Sequence, residues 1–200
     1  MALLKIPYQI PSFQLMFTPK KGVLCPSFLL EQGKIIQLCG PNGIGKTSCI
    51  KIILDILSSS FIKFSYCPYE RYLFNSQSIK EHLNFFLEKS SPFLGIFHEL
   101  WPIKINLNQF IFELSQGQQQ KIHLCLQLKQ NTPVWILDEP YQCLDNDSSL
   151  SLSSTIQYYL EQGGCVILVE HSSMLFLEKK LIHEKIFLKE INNVSSYYIN

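Results

Sequence analysis

Arginine and alanine are almost missing from this 200-residue chain: Arg71 is the one arginine among 17 Lys and Arg, and Ala2 the one alanine. Lys, Ile, Asn and Phe have AT-rich codons, whereas Ala and most Arg codons are GC-rich. The bias points to an AT-rich genome, such as an organelle or a reduced endosymbiont, and says nothing about chemistry. No apolar run reaches the roughly 18 residues of a membrane span, so no spanning helix is expected. Charge of one sign is not in excess: the formal net charge is +1, which argues against nonspecific nucleic-acid binding. The seven cysteines are odd in number and contain no C-x-x-C, which argues against a disulfide framework and a zinc site. Buried free thiols in a reducing compartment are the expectation. The N-terminal stretch is broken by Pro7 and Pro11 and lacks a small-residue cleavage pattern, so no signal or transit peptide is expected.

What is present is a chain able to bury a core, with 46% hydrophobic and 16% charged residues. Residues 1–200 suit one domain. Residues 1–30, punctuated by prolines, read as edge strands and turns. Lys34–Cys39 reads as a buried strand and Thr47–Leu57 as a helix, with Ile50, Ile53, Leu54 and Leu57 on one face. Phe61–Tyr66 reads as a short strand. Ser78 and Glu81 are spaced as a capping box ahead of the stripe Ile79, Leu83, Phe86 and Leu87. Residues 90–112 read as irregular and 115–130 as a helix. Val134–Leu137 is a buried strand, Asp147–Gln162 a helix stopped by Gly163-Gly164, Cys165–Val169 a buried strand, and 181–189 a peripheral strand. Strands alternating with helices predict an α/β fold with a parallel sheet covered on both faces.

Gly40-Pro41-Asn42-Gly43-Ile44-Gly45-Lys46-Thr47, followed by Ser48, fits the phosphate-binding pattern G-x-x-x-x-G-K-[ST] between a strand and a helix. Gly43 and Gly45 let backbone N–H groups turn around phosphate oxygens. The helix start adds free donors and a positive dipole end. Lys46 can reach the β- and γ-phosphates, and the Thr47 hydroxyl can bind Mg²⁺. The alternative is a glycine turn capping an ordinary helix, against which stand the complete pattern and its place between a strand and a helix.

Val134-Trp-Ile-Leu-Asp-Glu-Pro140 runs four apolar residues into two carboxylates. Such a strand places them at its carboxyl end, where α/β sheets bind ligands. Asp138 is a candidate Mg²⁺ ligand and Glu139 a candidate base for an attacking water; the bland reading is a charged strand end beside a proline turn. Leu114-Ser-Gln-Gly-Gln118 has two readings. Ser115 and Gln118 are spaced as a capping box, and the same serine with the Gly117 amide forms an anion site at a helix start.

In this order, GPNGIGKT, LSQGQQQK, WILDEP and a histidine after VILVE resemble the ATP-binding-cassette ATPases over nearly the whole chain. The 23-residue spacing from Ser115 to Asp138 also fits that family. The resemblance implies the P-loop ABC-type fold, with a parallel core, an antiparallel β part and a helical subdomain over about 70–125. It implies ATP and Mg²⁺ as ligands and a head-to-tail homodimer with two composite sites. Gly43, Gly45, Lys46 and Thr47 of one subunit would face Ser115, Gly117 and Gln118 of the other. His171 would be the switch histidine; taken alone it reads as a surface histidine. Leu144-Asp145 matches a loop between subunits. Phe17 is either a core or edge-strand phenylalanine or the aromatic that stacks on adenine.

Departures from the family pattern accompany the resemblance. Gln116 replaces the first glycine of the signature. Tyr69 or Glu70 stands where the family has a glutamine linking the ATP metal to the membrane partner; Glu70 can bind Mg²⁺. Only Ser58–Ile62 separates the loop helix from the next strand, so the β part is expected to be small. EQGGCVILVEH and the short length resemble the ATP-binding subunits of cytochrome c maturation (haem exporter) complexes. That implies coupling of hydrolysis to haem handling and release of a loaded haem chaperone. The implied partners are an integral membrane permease and the haem-chaperone system, with membrane contact only through the partner. The implied place is peripheral on an inner membrane, on the matrix side of a mitochondrion or the cytoplasmic side of a bacterium. Alternatives are the ATPase of a different transporter, or a weakly hydrolytic regulatory subunit.

Overall fold

The chain begins with four short strands: β1 (Tyr8–Ile10), β2 (Phe13–Thr18), β3 (Lys21–Cys25) and β4 (Phe28–Leu30). This computed structural model describes residues 7–86, 106–128, 132–170 and 182–192. β1 pairs with β4, and β2 with β3, all antiparallel. Prolines at 7, 11, 19 and 26 lie outside these strands, where no ladder hydrogen bond is lost.

The central sheet has β5 (Ile35–Cys39), β6 (Phe64–Cys67), β7 (Val134–Asp138), β8 (Cys165–Val169) and β9 (Ile182–Phe187), in the order β6-β7-β8-β5-β9. All its pairings are parallel. Side chains along a strand alternate between its faces, and the two cores follow that alternation. Val134 and Ile136 of β7 pack with Ile50, Ile53 and Leu57 of helix α1 (Lys46–Ser59) and with the β1–β4 strands. Trp135 and Leu137 pack on the other face with Leu124, Cys125, Leu152, Ile156 and Tyr159. Those residues belong to helices α3 (Gln116–Gln127) and α4 (Asn146–Glu161), which follow α2 (Ile79–Phe86). Burial of each large apolar side chain contributes roughly 1.5–3 kcal/mol. The Trp135 and Tyr159 rings stack with centroids 3.7 Å apart.

A third, smaller core joins α2 to the opposite face of α3 through Ile79, Ile111, Leu114, Ile122 and Leu126. The Ser78–Glu81 capping box is formed: Ser78 N donates to Glu81 Oε2 at 2.9 Å, and Glu81 N donates to Ser78 Oγ at 3.3 Å. Residues 90–105 and Leu87 lie outside the described residues. A 3₁₀ turn, Ile111–Glu113, occupies the end of the stretch read as irregular.

One expectation is corrected. Phe61 does not begin a strand. It has φ 57° and closes α1, with Phe61 N donating to Ser58 O and Ile62 N to Leu57 O at 3.0 Å. These are the paired bonds of a Schellman stop, and the strand starts at Phe64. The peripheral strand expected over 181–189 is present as Ile182–Phe187 at the edge of the main sheet, and the chain leaves that sheet at Leu188. β9 adds to the main sheet beside β5, and β10 (Lys189–Asn192) crosses to pair with β3. Leu188, buried between them, donates its N–H to Cys39 O at 2.9 Å. The antiparallel part is small, as the short Ser58–Ile62 link implies.

Cys25, Cys49, Cys67, Cys125 and Cys165 are buried free thiols, whereas Cys143 is exposed. Burial pushes the Cys49 thiol pKa up to about 11 and that of Cys25 to about 12. Among the described residues no helix is long and apolar enough to cross a membrane.

Candidate active site

The carboxyl ends of β5, β8 and β7 lie side by side, and the loop after β5 reaches across β8 to β7. Thr47 Oγ1 donates to Asp138 Oδ2 at 2.8 Å, joining residues 91 positions apart. Two hard oxygen ligands within one hydrogen bond suit Mg²⁺, which takes carboxylate and hydroxyl oxygens at short range. Lys46 is buried, and its Nζ donates to Gly40 O at 2.7 Å and Pro41 O at 3.0 Å. An ammonium has three donors, so one remains for a phosphate oxygen. Burial lowers the Lys46 pKa below the usual lysine value, while Glu139 and Asp138 oppose that shift and favour the charged form.

The start of α1 explains the glycines. Gly45 is its N-cap at φ 105°, and no side chain caps the helix. The first-turn N–H groups are therefore left for a ligand, with the dipole favouring an anion. A Cβ on Gly45 would lie 2.4 Å from Cζ of Phe17, so the Phe17 ring rests on the loop. Phe17, Asn42, Gly43, Gly45, Lys46, Thr47 and Ser48 line one cleft of about 620 Å³ with Tyr69, Asp138, Glu139 and Val169. Glu139 has φ 52°, a conformation that costs a non-glycine residue free energy. It is held there by Glu139 N donating to Val169 O at 2.9 Å and Gln142 N donating to Glu139 O at 3.2 Å.

The Ser115 segment lies apart from this cleft in the same chain. Ser115 is the N-cap of α3: Gln118 N donates to Ser115 Oγ at 3.2 Å, and Ser115 N to Gln118 Oε1 at 2.9 Å. Gly117 is required by space, because a Cβ there would lie 2.5 Å from Cys143 O. Asp145 caps α4 through Ser148 and pairs with Lys121 at 3.2 Å. Ser148, and then Lys121, hold the Asp145 pKa down at about 2. Glu70 does not line the first cleft. It lines a second, of about 510 Å³, with Arg71, Gln116, Gln119, Gln142 and Cys143, and Tyr69 is common to both. His171 lies outside the described residues.

Three contributors are invisible to spacing arguments. Gln120 Nε2 donates to Pro140 O at 3.2 Å and supports the Glu139 turn. Gln142 Nε2 donates to the Tyr69 hydroxyl at 3.1 Å. His123 is fully buried on α3 and donates Nε2–H to Pro68 O at 3.1 Å. No local pattern marks any of them, since each partner lies 20 to 73 residues away.

The cytochrome c biogenesis ATP-binding export protein CcmA of Colwellia psychrerythraea is 31% identical over 186 residues, covering 78% of this chain and 81% of that protein. The ABC transporter family profile matches residues 56–142. The chain belongs to the ABC transporter ATPases. An uncharacterized ABC transporter ATP-binding protein of Methanocaldococcus jannaschii is 32% identical over 168 residues, covering 78% of this chain and 64% of that protein. A solved ATP-binding subunit of an ABC transporter superposes with TM-score 0.61 at 21% identity, covering 72% of this chain and 71% of that one. As in other ABC ATPases the fold combines a parallel sheet, a small antiparallel part and helices. ATP is the ligand that membership of the family implies for the cleft, with Mg²⁺ as its metal.

Proposed function

We propose that this ABC ATPase hydrolyses Mg·ATP for a cytochrome c maturation complex, driving haem handling and release of a loaded haem chaperone. The observation that carries the hydrolytic part is the single cleft joining Lys46, Thr47, Asp138 and Glu139. In this reading Gly40 to Ser48 and Lys46 hold the phosphates, and Thr47 and Asp138 hold Mg²⁺. Mg²⁺, when bound, neutralises phosphate charge. Glu139 accepts the proton of the attacking water. Phe17, on the loop beside Gly45, offers a face for adenine. Because Ser115, Gly117 and Gln118 do not line this cleft, they are free to complete the site of a second copy, closing a homodimer. His171 is assigned to the γ-phosphate by family resemblance. The haem part rests on likeness to CcmA, and the proposed place is peripheral on an inner membrane, through a permease partner. Tyr69, not Glu70, stands nearest the role of the missing glutamine.

The decisive variant is Glu139→Gln. ATP turnover should fall by about 100-fold or more, while ATP binding persists. With ATP the variant should elute as a dimer in size-exclusion chromatography with light scattering. Identical turnover and identical elution of variant and wild type would refute the catalytic assignment. Membranes expressing the variant, solubilised with ATP, should yield a multispan permease together with a haem chaperone. Recovery of a permease from an unrelated transporter would move the function to the alternative reading.

A further inference from the structure

Tyr69 forms the wall between two clefts. On one side it shares the nucleotide cleft with Lys46, Asp138 and Glu139; on the other it borders Gln142, Cys143 and Gln116. Its hydroxyl accepts the Gln142 Nε2 hydrogen at 3.1 Å. A phenolic oxygen that accepts from an amide keeps its own proton as a donor. Gln142 is itself set by the turn after Glu139, where Gln142 N donates to Glu139 O. That bond holds the Gln142 backbone three residues after the carboxylate proposed as base. The next residue, Cys143, puts its Sγ 3.5 Å from Gln116 Oε1 and its carbonyl against Gly117.

We propose that Gln142 is a positioning residue for ATP hydrolysis, acting through Tyr69. The Gln142 amide occupies the acceptor side of the Tyr69 hydroxyl, so that the hydroxyl proton is presented to the nucleotide cleft. There it donates to the phosphate end of the bound nucleotide or to the attacking water. The inference rests on the ATPase reading above and deepens it with a residue that no phosphate-binding pattern includes.

The test compares Gln142→Glu, Tyr69→Phe and the double variant of the full chain in steady-state ATPase assays, with melting curves for each. Glutamate is nearly isosteric, but ionised it only accepts, so it takes the Tyr69 proton away from the cleft while keeping the pair bonded. Both single variants should lower kcat about tenfold with KM for ATP changed less than twofold, since a hydrogen bond to a charged group carries about that factor. The double variant should match Tyr69→Phe. A merely structural contact predicts a near-normal kcat for Gln142→Glu, or losses that multiply in the double variant; either result overturns the proposal. Wild type that binds but does not turn over ATP overturns the hydrolytic reading itself, and the proposal with it.

Discussion

The phosphate loop and the Ser115 segment are both helix N-termini, yet they are held in opposite ways. At α1 the N-cap is Gly45 at φ 105°, without a side-chain cap. At α3 the N-cap is Ser115, closed by a reciprocal pair with Gln118. An uncapped terminus keeps its donors for a ligand and depends on the packed sheet behind it. A capped one satisfies its own donors, and Ser115 still has its own O–H to donate. The two glycines differ in the same sense. Gly45 is demanded by backbone conformation, whereas Gly117 is demanded by the carbonyl of Cys143. The lesson is that the first terminus leaves its donors open, whereas the second is shaped by the loop that follows the carboxylates.

The largest effect that separates the two regions concerns His123, which ties the middle of α3 to Pro68. Burial lowers its pKa from 6.5 to about 4. Its Nδ1 is buried without a partner among the described residues. Between those values the unfolded chain binds the proton and the folded chain does not, so stability rises with pH. The contribution is complete above pH 6.5 and lost as pH falls toward 4, about 3 kcal/mol in all. His82 is shifted in the same direction by burial. Asp145, low at about 2, acts only in a more acidic window. Urea unfolding at pH 7 and pH 4.5 should show this loss, and His123→Gln should remove most of its pH dependence. An unchanged pH dependence would mean that the histidine is charged in the fold.

Gly117→Ala comes next. The added Cβ meets backbone, which cannot swing aside as a side-chain tip can. A destabilisation of about 1–3 kcal/mol is expected, as for other overpacked sites, read from thermal unfolding. A neutral result would show that the Cys143 turn and α3 slide past one another freely. The smallest effects should be gains. Phe61 at φ 57° and Cys143 at φ 63° sit where glycine is at ease. Phe61→Gly and Cys143→Gly should each stabilise by about 0.5–1 kcal/mol. Phe61 stands far from the active site, so its variant should leave ATP turnover unchanged, whereas Cys143→Gly tests whether strain in the Glu139–Cys143 turn serves turnover. Equal turnover in both variants would remove any functional role for that strain.

Several elements were legible because their causes are local. The Ile50, Ile53 and Leu57 stripe produced α1, the apolar run 134–137 produced β7, and the capping pairs at Ser78 and Ser115 started their helices where spacing predicted. The Phe61 strand was misread because an exposed apolar residue in left-handed conformation looks like a strand former in one dimension. The peripheral strand near the end of the chain was legible, but the crossing of Lys189–Asn192 to pair with β3 was not, because that pairing joins segments far apart in sequence.

By itself the sequence determined the phosphate loop, the paired carboxylates, the alternation of strands and helices, and through these the family. Those depend on residue types at fixed short spacing, which backbone geometry converts directly into structure. Only the tertiary structure decided that Tyr69, not Glu70, borders the nucleotide cleft, that Gly117 answers to Cys143, and that Gln142, Gln120 and His123 support the site. Each of these is a contact between distant segments. Which side chains meet there is settled by how the helices pack on the sheet, and no local spacing records it.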